Sequence, residues 1–471
     1  MSTSAAQKDK ARYTTGSTLR HVLVLASTSA IGLIAIFVVD FLNLFYISLL
    51  GDPSLTAAIG YASAIAFFYV SLSVGMMIAA TALVSRALGA GEPARAREVA
   101  ASALSWLTLV TGVATIVSLP LVPEMLGLVG AEGETLRVAA VFLWIVMPST
   151  PLLGLGMCAT GLLRAVGDPR RAMYTTLWFG GIILVLDPLM ILGIGLGVPG
   201  AAIATLVARV GMVAYGLAIL IRRHDLIARP TAAAMRRDFI PLARIGVPAI
   251  LTNIATPVGN GYMTAAMAPY GDATVAAWTI ISRLVPVAFG GLFALSGAVG
   301  PVVGQNFGAR FYDRVRGALN DSLKISTVYV LVVSAILFLA QHGIVAAFGV
   351  TGEAAELVLF FCRYLAITFI FAGGLFVSNA AFNNLNYPVL STVLNWSRAT
   401  LGTVPFAIAG AWAWGNIGAL AGFFIGGIPF GIIAMVLAYR IIARLGRHPA
   451  PADAPAAAPP AGPPPPSRSA A

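Results

Sequence analysis

Charged residues are scarce in this sequence. Asp, Glu, Lys and Arg make up 10% of its 471 residues, whereas a soluble domain carries about a quarter. The two cysteines, Cys158 and Cys362, lie in separate apolar stretches, so neither a disulfide framework nor a cysteine zinc site is expected. The four histidines form no HExxH or paired pattern. These absences exclude an ordinary water-soluble fold, and they lead us to predict neither a metal nor a cofactor.

Long apolar runs take the place of the missing charges. Hydrophobic residues account for 59% of the chain, and about 20 consecutive apolar residues suffice to span a bilayer. The sequence therefore predicts an all-α integral membrane protein with twelve transmembrane helices. The predicted spans are 20–47, 55–84, 98–122, 135–163, 171–196, 198–221, 240–269, 273–303, 318–340, 354–383, 388–414 and 417–442.

The loops between these runs are asymmetric in charge. Arginines concentrate after even-numbered runs, as at Arg95 and Arg310, whereas the opposite loops are acidic. The positive-inside rule then places both termini in the cytoplasm, here of a bacterial inner membrane. Because the net charge of +11 lies in short loops, nucleic acid is not a predicted partner. The polar start at 1–17 leads directly into a full-length run and predicts no cleavable signal peptide. The Pro/Ala-rich tail at 444–471 is predicted to be disordered.

An internal repeat divides the chain. The segment that begins Gly51-Asp52-Pro53 resembles the one that begins Gly271-Asp272, a shift of 220 residues. Gly167-Asp168-Pro169 likewise aligns with Asn386-Tyr387-Pro388 at a shift of 219. Six spans and one loop fill that interval, so both halves enter the membrane in the same direction. We expect an N-lobe (18–221) and a C-lobe (240–443), joined by a cytoplasmic linker (222–239). A pseudo-two-fold axis along the membrane normal would relate the lobes across a central cavity.

Two acids lie deep in predicted spans, Asp40 in the first and Asp187 in the fifth. Intramembrane acids are costly and are candidate functional residues, although a hydroxyl or backbone donor can satisfy a structural acid. The repeat places Asn260 opposite Asp40, and Pro405 and Phe406 opposite Asp187, so the C-lobe lacks both carboxylates. That asymmetry favours an ion-coupling role. A carboxyl in a low-dielectric cavity favours its neutral form, so a proton could bind there and a cationic substrate could compete with it.

Other residues are weaker candidates for the same cavity. Pro188 could provide a helix hinge beside Asp187 because it removes a backbone hydrogen bond, and Thr205 could offer a hydroxyl. The intramembrane arginines, which include Arg209, are explained by snorkelling towards the membrane surface. The remaining substrate-binding candidates are polar amides and adaptable methionines: Asn43, Asn260, Met173, Met190 and Met263.

Several segments together resemble the multidrug and toxic compound extrusion (MATE) family. They are VVDFLNLFYISLLGDPSLTAAIG, SRALGAGEPARARE, GLLRAVGDPRRAM, LDPLMILGIGLGVPGAAIAT and VGQNFGARFYDRVR, and they extend the resemblance over about residues 18–443. The resemblance implies two six-helix bundles in a V and export of organic cations coupled to protons or sodium. Asp40 and Asp187 match first-lobe acids of the family, as in its DNA-damage-inducible F-type branch, and Thr205 matches an associated threonine. Ile183 stands where the family often has an asparagine, which favours protons over sodium.

We therefore expect a secondary active antiporter that exports small organic cations in exchange for protons or, as the weaker alternative, sodium. A lipid-linked oligosaccharide flippase on the same scaffold is the alternative, but such a protein should carry cationic residues in its cavity. A membrane-embedded enzyme would need a cluster of His, Asp or Glu at one membrane face, which the sequence lacks. No obligate protein partner is evident, and a monomer is expected.

Overall fold

The computed structural model describes residues 11–50 and 52–447, and all the regular secondary structure in these ranges is helical. The predicted tail from residue 448 onward and the first ten residues lie outside the described ranges. Twelve spans are formed, numbered here in chain order. In the first half they are Thr18–Ser48 (span 1), Pro53–Gly89 (span 2), Pro93–Ser118 continued by Leu119–Leu121 and Val122–Leu128 (span 3), Gly133–Val146 with Met147–Ser149 and Thr150–Ala165 (span 4), Pro169–Pro188 with the π-helical turn Leu189–Gly193 (span 5), and Gly197–Arg222 (span 6).

The second half repeats this plan. Its spans are Ala232–Met267 with Ala268–Tyr270 (span 7), Asp272–Gly308 (span 8), Tyr312–Phe348 (span 9), Gly352–Phe360 with Phe361–Leu365, Ala366–Thr368 and Phe369–Asn384 (span 10), and the helices Pro388–Ala399, Val404–Ile425 and Ile428–Arg447, which form spans 11 and 12. Most interruptions inside spans fall at prolines, which cannot donate a backbone hydrogen bond. The predicted fold class and the number of spans are confirmed.

Spans 11 and 12 form a hairpin with very close backbones. Eleven apolar segments are long enough to cross a membrane in the described residues, and the last, Pro388–Arg447, has 60 residues. The chain reverses inside that segment at Gly415, which has a φ of 60°. A Cβ placed on Gly418 would lie 1.9 Å from the carbonyl oxygen of Gly410, and one on Gly426 would lie 1.7 Å from that of Gly402. Each pair of residue numbers has the same sum, as an antiparallel pair requires, so the segment supplies two spans.

Gly418→Val is expected to destabilise the C-lobe, because no Cβ fits between these backbones. Overpacking of a well-packed interior costs about 1–3 kcal/mol, and here the obstacle is backbone that cannot rotate away. The apparent melting temperature of the purified protein should fall. Gly343→Val in span 9 is the matched control, since a Cβ there meets nothing within 4 Å. Equal melting temperatures for the two variants would contradict the close packing of spans 11 and 12.

Within the N-lobe, spans 1 and 5 run parallel at one fixed register. Gly32 lies against Thr176, and Val39 packs with Ile183 in one apolar cluster. Both pairs are 144 residues apart. In the C-lobe, span 7 packs on span 11 in the same way, and Thr252 Oγ1 lies 3.2 Å from Thr392 Oγ1.

Between the lobes, span 1 packs on span 8 and span 2 packs on span 7. This reciprocal exchange is the pattern that a pseudo-two-fold axis produces.

The connection between the lobes is shorter than predicted. Span 7 begins at Ala232, where the Thr231 hydroxyl accepts a hydrogen bond from the Ala234 backbone N–H, so the segment 223–231 replaces the predicted linker 222–239. Asp238 therefore lies in a helix, and it is fully buried with Arg95 Nη2 2.5 Å from its Oδ1. Polar composition made the first turns of span 7 look like loop.

The two lobes are closed against each other on the face that carries the arginine-rich loops, hereafter the arginine-rich face. A Cβ on Gly89 of span 2 would lie 2.0 Å from the carbonyl oxygen of Gln305 in span 8. Similarly, a Cβ on Gly308 would lie 2.1 Å from the carbonyl oxygen of Arg86. Glycine at these positions allows the two helices to meet without an intervening side chain, so the seal is made by backbone.

A short segment before span 1, residues 12–17, reinforces that seal; we call it the N-terminal strap. The Tyr13 backbone N–H donates to Gln305 Oε1 at 2.8 Å, and Arg314 Nη2 donates to the Tyr13 carbonyl at 2.9 Å. The Tyr13 hydroxyl donates to the carbonyl oxygen of Arg164 at 2.9 Å. Burial raises the pKa of the Tyr13 phenol above its ordinary value, so this donor keeps its proton at neutral pH. The N-terminal strap thus bonds to both lobes.

Candidate functional site

One face of span 8 shows how the two lobes separate towards the opposite, acidic face. Close to the arginine-rich face, Gly304 lies against Ser85 of span 2. Four turns further along the same side, a Cβ on Gly290 would lie 3.4 Å from the ring of Phe37 in span 1. Up to this level the face of span 8 is buried against the N-lobe.

Beyond Gly290 the same face is uncovered. Val287 and Arg283 follow at helical spacing, and both are exposed, Val287 at 69%. Phe41, one turn past Phe37 on span 1, is 68% exposed. Since residues that continue a buried stripe are open on both walls, the lobes part here. The result is a cleft that opens to the acidic face, and we call it the interlobe cleft.

Asp187 and Asn43 form the polar centre of the N-lobe. Asp187 is 1% exposed, and its Oδ2 accepts a hydrogen bond from Asn43 Nδ2 at 2.7 Å. The other oxygen, Oδ1, is buried without a partner in the described residues. This pair continues the register of spans 1 and 5, because Asn43 and Asp187 are also 144 residues apart. A buried carboxyl with a single neutral donor is poorly compensated as an anion.

Asp40 occupies a different position from Asp187. It lies three residues beyond Phe37 on span 1, is exposed, and makes no hydrogen bond or ion pair to any described residue. The expectation that both acids face one cavity is therefore only half right, since Asp40 opens on the interlobe cleft while Asp187 is enclosed behind it. Asn43 is one helical turn from Asp40 and bonded to Asp187, so it connects the two carboxyls.

Thr205 and Pro188 flank the centre without bonding to it. The packing of Ile183 with Ala208 sets the level of span 6 and places Thr205 near the depth of Asp187. The Thr205 hydroxyl nevertheless donates to the carbonyl of Ala201 in its own helix at 2.9 Å. Pro188 ends the α-helical part of span 5, and the π-helical turn Leu189–Gly193 follows at once. The proposed hinge thus stands at the end of the span rather than in its middle.

The methionine candidates do not gather at the acids. Met263 is fully buried in an apolar cluster of the C-lobe, so it cannot line the cavity. Met173 lies 14 residues before Asp187 on one helix, about 21 Å away along the axis, near the arginine-rich face. Only Met190, half-buried one turn beyond Asp187, remains close. Methionine suits core and cavity equally well, so these side chains could not be assigned from sequence.

Asn260 is half-buried on span 7, one residue from Gly261, where a Cβ would meet nothing within 4 Å. Its backbone carbonyl accepts from the Thr264 hydroxyl at 3.1 Å. This end of span 7 therefore lines open space near the acidic face, and Asn260 stays a candidate residue of the C-lobe wall.

The intramembrane arginines are the residues that the sequence reasoning misjudged. Arg209 does not snorkel: it is 8% exposed and donates to Ser149 Oγ at 2.7 Å and to the carbonyl of Val146 at 3.0 Å. It therefore holds span 6 to the interruption of span 4. Arg283 does not snorkel either, because it lies on the face of span 8 that lines the interlobe cleft. Their positions on a helical face, relative to the residues that contact another lobe, were the missing signal.

Comparison with known proteins supplies two kinds of relative. Residues 28–189 and 248–408 each match the MatE family, and the two matches begin 220 residues apart, the offset of the predicted repeat. The FAD transporter of Shewanella oneidensis is 30% identical over 90% of this chain and 94% of its own length. The multidrug export protein MepA of Staphylococcus aureus is 25% identical over 66% of this chain and 70% of its own.

Solved structures agree with the fold. An outward-facing multidrug resistance MATE transporter superimposes with a TM-score of 0.86 at 22% identity, covering 93% of this chain and 98% of the other. A mutant of the Vibrio cholerae MATE transporter VcmN gives 0.85 at 22% identity, covering 91% and 97%. At this level of identity the likeness concerns the architecture of twelve helices in two lobes.

Proposed function

This chain belongs to the MatE family of membrane transporters, and from that premise we propose that it is a secondary antiporter that exports organic cations in exchange for protons. The transport step would alternate between the cleft open to the acidic face and one open to the arginine-rich face. The family consists of transporters, so the chain is a transporter and not an enzyme. With the arginine-rich face in the cytoplasm of a bacterial inner membrane, the described conformation would be outward-open.

The observation that carries the proposal is the pair of unequal carboxyls. Asp40, exposed on the cleft wall beside Phe41, offers a negative charge and an aromatic ring, which together suit an organic cation. Asp187, enclosed one turn away, offers an unpartnered oxygen to a proton. A proton on Asp187 and a cation at Asp40 would then be bound at neighbouring points of one helix pair, which is the requirement for exchange.

The surroundings of Asp187 favour protons over sodium. Hard cations take several oxygen ligands, but Ile183, one turn before Asp187, is apolar and packs in an apolar cluster. The Thr205 hydroxyl is engaged by its own helix. Two carboxyl oxygens and one asparagine do not form an oxygen cage, whereas a proton needs only the carboxyl.

Flavin nucleotide export is a second candidate, because the 30% identical relative is named an FAD transporter. Such a solute is anionic, and Arg283 supplies the cleft with one cation. The same arginine weakens the sequence-based objection to a lipid-linked oligosaccharide flippase, which a water-soluble substrate would exclude.

Transport in proteoliposomes tests the proposal. With ethidium as substrate, an imposed proton gradient should drive efflux, and an imposed sodium gradient at constant pH should not. The proton ionophore that collapses the first gradient provides the control. Sodium-driven efflux would overturn the assignment of the ion, and no ethidium movement under either gradient would overturn export of organic cations.

A further inference from the structure

Arg283 of span 8 is an unneutralised cation well inside the membrane. It stands eleven residues after Asp272, the start of the helix, which is about 16 Å along the axis. No described residue pairs with it. Its hydroxyl neighbours are already engaged, because Thr279 Oγ1 donates to the carbonyl of Val275 at 2.9 Å and Ser282 Oγ to that of Thr279 at 2.8 Å.

Such a charge is costly in lipid, and intramembrane cations face water-filled cavities or partners. The packing of span 8 decides which applies here. Arg283 is two helical turns from Gly290, whose Cα side lies against Phe37 of the N-lobe. The guanidinium therefore belongs to the helix face that lines the interlobe cleft, and water in the cleft is its only partner.

The opposite wall of the cleft is aromatic and carries the acid. Phe41 on span 1 is 68% exposed, and Phe67 and Phe68 on span 2 are 44% and 50% exposed. The antiparallel contact of Phe37 with Gly290 places Asp40 opposite Val287, one turn from the level of Arg283. Asp40 and Arg283 are not paired in this conformation. The cleft thus has an anionic, aromatic wall and a cationic wall.

We propose that Arg283 is an anion-binding residue of the interlobe cleft, and that it binds a phosphate or carboxylate group of an aromatic solute whose rings pack on Phe41 and Phe68. The inference rests on the proposed export function and extends its substrate class from cations to aromatic anions and zwitterions. Arginine suits this role because its planar guanidinium binds either oxyanion with two parallel hydrogen bonds. Closure of the cleft would exclude water from the contact and strengthen it.

Dyes with one ring system and opposite charges test the proposal. Fluorescein is anionic and rhodamine 123 is cationic, and both are xanthenes. Binding to the full-length transporter in nanodiscs is measured by fluorescence anisotropy for wild type, Arg283→Gln and Arg283→Lys. Since a hydrogen bond to a charged group is worth about 1.5–3 kcal/mol, Arg283→Gln should weaken fluorescein roughly tenfold or more and leave rhodamine 123 unchanged. Arg283→Lys should retain part of the affinity.

Riboflavin and riboflavin 5′-phosphate separate the two oxyanions, because they differ by the phosphate alone. If phosphate is a ligand, Arg283→Gln should weaken only the phosphorylated compound; loss of fluorescein binding alone would restrict the site to carboxylates. Arg170→Gln is the control, since Arg170 is exposed on the arginine-rich face. An unchanged affinity for both anions in Arg283→Gln, or an equal loss for both xanthenes, would overturn the proposal.

Transport of the same dyes distinguishes this inference from the function on which it rests. If rhodamine 123 is exported on a proton gradient while fluorescein neither binds nor moves, the anion site is wrong and cation export stands. If wild type exports neither dye, both proposals fail.

Discussion

Asp187→Asn is expected to abolish proton-driven export while the protein folds and still binds its substrate. The amide has the shape of the carboxyl and can accept the hydrogen bond from Asn43 Nδ2, which spans 2.7 Å in the native protein. It cannot exchange a proton, so the unpartnered oxygen loses its function. Proteoliposome efflux driven by a proton gradient should fall to the level of empty vesicles, and addition of substrate should no longer release protons from the purified protein.

Two variants make that result specific. Glu124→Gln removes an exposed acid from span 3 near the acidic face and should transport normally. Asp40→Asn should differ from Asp187→Asn, because its charge faces the cleft; we expect weaker binding of cationic substrates and retained proton release. If Asp187→Asn kept full proton-driven efflux, the coupling site would lie elsewhere.

Gly89→Leu is expected to prevent closure of the arginine-rich face and thereby to stop transport. The new side chain would enter space already held by the backbone of Gln305, because even a Cβ there would lie 2.0 Å from its carbonyl oxygen. A reporter cysteine in place of Ser85 can measure the effect, since Ser85 is fully buried at the same lobe contact. Both native cysteines, Cys158 and Cys362, are 1% exposed, so background labelling should be low.

In the Ser85→Cys protein, maleimide should react slowly at this position, and addition of Gly89→Leu should make the reaction fast. Gly112→Leu in span 3 is the matched control, because a Cβ there meets nothing within 4 Å, and it should leave both labelling and transport unchanged. Slow labelling together with normal transport in the Gly89→Leu protein would show that the backbone contact is not the seal.

The architecture was predictable because it depends on length and on recurrence. Runs of about 20 apolar residues force spans whatever their neighbours, and the shift of 220 residues carries the second lobe. The break between spans 11 and 12 was also placed correctly at residues 415–416. Boundaries that depend on polar turns were less accurate, as the buried Asp238 shows.

The acids were found for an equally simple reason, namely that so few charges enter the membrane. What a given helix face touches could not be deduced, because membrane helices are apolar all round and show little periodicity. Met263 was therefore placed in the cavity although it lies in the core. Arg283 was assigned to snorkelling although it lines the cleft. Both errors concern tertiary packing, which composition does not encode.

Span 1 is anchored to different lobes at its two ends. At the arginine-rich end, Thr18 Oγ1 donates to Asp321 of span 9 at 2.5 Å, next to the N-terminal strap. At the other end, Asn43 is bonded to Asp187 of span 5. In mechanical terms the helix is a cross-member, so opening the arginine-rich face must either break the anchors at Thr18 and in the N-terminal strap or bend a helix that contains no proline. Protonation at Asp187 and the opening of the seal therefore load the same 31-residue element.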